Sequence, residues 1–115
     1  MANLDFENVL ETLKNEVVNL AMSTLNNYKN EAKTDALNLV NMIKDNLKTW
    51  TLELANGEIS AKDYEYLVLG QKELVEMNAL KQAGLAMIQV DALKNSILNL
   101  IIKTVTGLIW RKSSG

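Results

Sequence analysis

The feature that most constrains this chain is an apolar stripe that runs without interruption from Phe6 to Leu54. Through Leu10, Leu13, Val17, Ala21, Leu25, Tyr28, Ala32, Ala36, Leu39, Ile43, Leu47 and Trp50 it takes 13 steps over 48 residues, a mean spacing of 3.69. An α-helix repeats every ~3.6 residues, so the stripe is one helical face. A spacing above ~3.5 argues against a strongly left-handed supercoil. The chain holds no proline among its 115 residues, so the strongest helix breaker is missing throughout.

The punctuation falls in the middle. Asn56-Gly57 is a turn signal, and Ser60 with Asp63 three residues on has the form of a capping box, with Asp in place of the usual Glu or Gln. A helix end near Leu54 and a new start near Ser60 follow. Beyond the turn a second stripe runs from Val68 through Val75, Ala79, Ala83, Ala86, Val90, Leu93, Ile97, Ile101 and Val105 to Leu108. Its intervals are 3 or 4 apart from a gap of 7 that spans Lys72.

Folding the chain at Gly57 sets Ala32 opposite Ala83 and Ala36 opposite Ala79, and it also pairs Leu47 with Val68 and Trp50 with Tyr64. Small residues that face each other let helix backbones approach closely. The expectation is therefore an all-α, single-domain chain (1–115): a long antiparallel hairpin with arms at about 4–55 and 60–111, a turn at 56–59, and a narrow waist at Ala32, Ala36, Ala79 and Ala83. Each arm would span about 75 Å at ~1.5 Å per residue.

Both arms are also apolar on their far sides, at Met22, Leu37 and Leu52 on the first and at Leu74, Met77, Ile88 and Ile102 on the second. A helix that is apolar most of the way round needs cover on more than one side. One solution is self-association of hairpins through these residues into a larger helical bundle or assembly. The alternative is a compact up-down four-helix bundle in which both arms bend, near Asn27 and near Gly84.

Chemistry-bearing patterns are scarce. Histidine and cysteine are both absent, which removes the commonest general base, the commonest metal ligand, thiolate sites and disulfides. No phosphate-binding glycine loop is present. Gly70 and Gly84 stand alone within helical pattern and read as packing or bending positions. Asp63, Glu65, Glu73 and Glu76 lie among lysines and read as a solvated face, and Asp91 reads as a surface acid. These features lead to the expectation of a non-enzymatic protein with no cofactor, no metal and no small-molecule substrate. With a net charge of −2, no nucleic-acid partner is expected either.

Charge is distributed unevenly. Eight acids face five lysines up to Gly57, whereas from Ala92 onward the charges are Lys94, Lys103, Arg111 and Lys112 with no acid. An apolar helix that closes on Trp110-Arg111-Lys112 suits a membrane interface. Lys103, Trp110, Arg111 and Lys112 are thus the candidate membrane or anionic contact, and lipid binding is the alternative function. The acidic N-terminal stretch lacks the pattern of a cleaved signal, and no 18-residue apolar run is present. The resulting expectation is a cytoplasmic location, or export without a cleaved signal.

Size, absent cysteine and a central turn make the chain similar in architecture to the small secreted W-x-G hairpin proteins. The motif itself is missing, because Thr51-Leu52 follows Trp50, and so is the C-terminal Tyr-x-x-x-Asp/Glu. No family membership follows from the likeness.

Overall fold

The computed structural model describes residues 4–114, and side-chain surroundings for residues 4–110. Every element among them is helical. Helix α1 spans Phe6–Thr24 and starts where the Asp5 carboxylate accepts the Glu7 N–H at 3.1 Å. Such caps satisfy N–H groups that the first helical turn leaves without partners. Helix α2 spans Lys29–Ala55, α3 Ala61–Gly70, α4 Asn78–Gln82 and α5 Met87–Ser114.

The two halves of the chain are joined as the sequence predicts. Asn56 ends α2, and Gly57 takes φ 77°, a left-handed conformation that glycine adopts without steric cost. The Glu58 N–H reaches back to the Glu53 carbonyl at 2.8 Å and the Gly57 N–H to that of Leu54 at 3.1 Å, a Schellman closure. Ser60 and Asp63 then form a reciprocal capping box at 3.0 and 3.1 Å, which opens α3.

The arms are not straight, and this corrects the extended hairpin. The molecule measures 47 × 22 × 18 Å, too short for arms of about 75 Å. The first arm breaks at Leu25, which leaves helical geometry with φ −118° and ψ 68°, and Asn26–Tyr28 form a single 3₁₀ turn before α2 begins. The apolar stripe keeps its phase through this break, so periodicity alone could not reveal it. The second arm breaks twice. A 3₁₀ turn at Gln71–Leu74 and an extended link at Val75–Met77 follow α3, and α4 ends at Gly84 in a second Schellman closure with φ 92°. The all-α class stands. Helices α1 and α2 form the first two legs of the chain, α3, the 3₁₀ turn and α4 divide the third, and α5 is the fourth.

The fold register about Gly57 survives this doubling. Thr51 and Tyr64, equidistant from the Gly57–Glu58 bond, share a buried hydrogen bond of 2.9 Å. Asp35 and Leu80, also equidistant, are joined at 2.8 Å. Further along, Asn46 donates to the Gln71 side chain at 3.0 Å, and Thr104 on α5 donates to Glu16 on α1 at 2.6 Å. The hairpin has been folded over at mid-height, so that α1 lies against both α2 and α5. The core is one cluster, with Leu13, Val17, Leu39, Ile43, Leu47, Tyr64, Leu80, Ile97 and Ile101 fully enclosed.

Candidate interaction surface

Of the waist residues, Ala32 and Ala36 are fully buried on α2, while Ala79 and Ala83 are half-buried at α4. What fastens α4 to α2 is a carboxylate beside them. Asp35, only 2% exposed, accepts the Ala79 N–H at 3.1 Å and the Leu80 N–H at 2.8 Å. These amides belong to the first turn of a short helix, Asn78–Gln82, with no local side-chain cap. No sequence signal singled out Asp35, since Glu16, Glu31 and Glu53 also stand one position before residues of the stripe.

Two of the residues assigned to an outer face are not on one. Met77 is fully buried, because Val75–Met77 is extended and alternate residues of an extended segment point to opposite sides. Val75 and Met77 therefore face the core and Glu76 faces solvent. The gap of 7 spanning Lys72 in the second stripe marks this break. Ile102 is buried because α5 meets both α1 and α3, which requires a wide buried face that includes Leu98 and Ile109 as well. Met22, Leu37 and Leu52 are half-buried, and Leu74 and Ile88 are exposed.

Among the described residues the exposed large apolar side chains are Met42, Tyr66, Leu74, Met87, Ile88 and Trp110. Tyr66 is 81% exposed and stands on α3 beside Leu69 and Gly70, with Trp50 of α2 across from it. Together they line a groove of about 420 Å³. Met42, Asn46 and Trp50 follow one another at four-residue intervals along α2, and the Asn46–Gln71 bond places this side of α2 against the 3₁₀ turn that Leu74 closes. Trp50 is thus part of a half-buried aromatic wall, while Tyr64 belongs to the core. Burial pushes the Tyr64 hydroxyl up to about 12, and the hydrogen bond with Thr51 opposes this rise only in part.

A second groove, of about 610 Å³, runs between the start of α3 and the last third of α5. Ile102 and Ala61 give it an apolar floor, Trp110 a wall, and Lys62, Lys103 and Glu65 a charged rim. Lys103 and Trp110 are exposed, and the side chains of Arg111 and Lys112 lie outside the described residues. Lys94, counted in the same basic run, is used internally. Its Nζ donates to the Val75 carbonyl at 2.6 Å and the Lys72 carbonyl at 3.2 Å, where the 3₁₀ turn ends. Asp91 is exposed. The segment Met87–Trp110 is long and apolar enough by composition to cross a membrane, with mean hydropathy 1.2, although a third of its most apolar stretch is buried inside the fold.

The buried polar side chains among the described residues are Asp35, Thr51 and Gln71, and each is held in a structural hydrogen bond. No protein-family model matches the chain, and no curated protein or solved structure is significantly similar to it.

Proposed function

We propose that this protein is a non-enzymatic assembly element that associates with further copies of itself through the face formed by α3 and the adjacent edge of α2. The observation that carries the reading is the pairing of a highly exposed Tyr66 with the Trp50 groove. Exposed aromatic side chains supply large contact area at low cost in conformational entropy, and they are enriched in protein interfaces. A second copy is favoured as the occupant because the rim carries both signs of charge. Lys72 lines the groove, and Glu73 stands between it and Leu74 in the chain. A two-fold interface brings the same patch against itself, so it needs such a self-complementary rim. A net charge of −2 opposes association only weakly.

The spending of Asp35, Thr51 and Gln71 on structural bonds supports the non-enzymatic part of the reading, since a catalytic site needs converging polar groups left available to substrate. The test is sedimentation velocity on the natural chain and on a Tyr66→Asp/Leu74→Asp double variant. Both positions are exposed, so the variant should keep its fold by circular dichroism while losing the faster-sedimenting species. A variant that sediments as the natural chain does would remove this face from the account.

A further inference from the structure

The α3–α5 groove lies on a different side of α3's neighbourhood from the Trp50 groove and shares none of its lining residues. Its origin is geometric. α5 continues past the level at which α3 begins, and Gly107 leaves open space where a side chain would stand, with no atom within 4 Å of the place a Cβ would take. The cleft that results has an apolar floor at Ile102, an indole wall at Trp110, and two exposed ammonium groups at its edge, from Lys62 and Lys103. Glu65 offsets one of these charges.

We propose that this groove binds a single-chain anionic amphiphile of the fatty-acid class. The head group pairs with Lys62 and Lys103, whose positive charge is available at the rim. The chain lies on Ile102 and against Trp110, which is 53% exposed. Each methylene removed from water adds a favourable increment, so affinity rises with chain length. The ammonium groups select an anionic head over an uncharged one. This site is independent of self-association through the Tyr66 face, and a monomer would bind equally well.

The test uses the full chain carrying Trp50→Phe, which leaves Trp110 as its one tryptophan. Indole emission is followed while octanoate, decanoate or 1-decanol is added below the concentration at which each aggregates. The expected result is a saturable blue shift with decanoate and about tenfold weaker binding of octanoate and of 1-decanol. Lys62→Glu/Lys103→Glu reverses exposed charges and should weaken decanoate by about tenfold or more. Gly107→Leu fills the cleft within a helix that accepts leucine, and should abolish the shift while thermal unfolding by circular dichroism shows a folded chain. The proposal is overturned by the absence of a saturable shift, by equal binding of decanoate and 1-decanol, or by folded variants that bind unchanged. It is overturned equally by a response confined to anionic vesicles, which would point to a membrane surface.

Discussion

The carboxylate of Asp35 accepts the backbone N–H of Leu80 at 2.8 Å across 45 residues of chain, and with it the N–H of Ala79. One buried acid thereby caps a helix on the opposite arm and holds the third leg against α2. Asp35→Ala leaves two amides without partners in a buried site. The expected loss is about 2–4 kcal/mol, and Asp35→Asn, which keeps one acceptor oxygen, should lose about half as much. Urea titration checks this through the midpoint, with the slope unchanged if the native fold is retained.

The burial of Tyr64 makes stability depend on alkaline pH. Burial raises the Tyr64 hydroxyl to about 12 in the folded chain, against about 10 in the unfolded one. Between these values the unfolded state releases the proton and the native state keeps it, so stability falls as pH rises. The contribution is fully present below pH ~10 and is lost by pH ~12, a decline of about 2–3 kcal/mol. Tyr64→Phe should remove this decline. It should also cost about 1–2 kcal/mol at neutral pH by leaving the Thr51 hydroxyl without its partner. Denaturant midpoints measured from pH 8 to 12 distinguish the two effects.

Two glycines should respond to alanine in opposite directions. Gly84 holds φ 92° at the end of α4, where a Cβ is strained whatever the available space, so Gly84→Ala should destabilise by about 1–2 kcal/mol. Gly107 lies inside α5 with open space around it, so Gly107→Ala should stabilise by about 0.5–1 kcal/mol. Thermal unfolding of the two variants side by side gives both signs at once.

Much of the fold was legible in the sequence, and the parts that were not have identifiable causes. The stripe from Phe6 to Leu54 predicted the helical faces, and Leu13, Val17, Leu39, Ile43 and Leu47 are buried accordingly. Asn56-Gly57 and Ser60–Asp63 marked the turn because closures of this kind depend on local residues alone. The break at Leu25–Tyr28 left no mark in the stripe, because the next helix resumes in the same phase, and what pointed to a bend near Asn27 was the poor helix-forming tendency of Asn26-Asn27. The break after Gly70 did leave a trace, the gap of 7 spanning Lys72, but a helical phase carried through it put Met77 on the wrong side. Ile102 was misplaced because a stripe describes one partner, whereas α5 packs against two. Both grooves are lined by residues far apart in the chain, a juxtaposition that no one-dimensional pattern encodes.

Association of the chain with copies of itself is tested most directly by the mass of the natural chain, measured by light scattering across a dilution series without detergent. The expected result is a discrete species of at least twice the 12.8 kDa chain mass at roughly tens of micromolar, giving way to the single chain on dilution. A mass of 12.8 kDa at every concentration would contradict it.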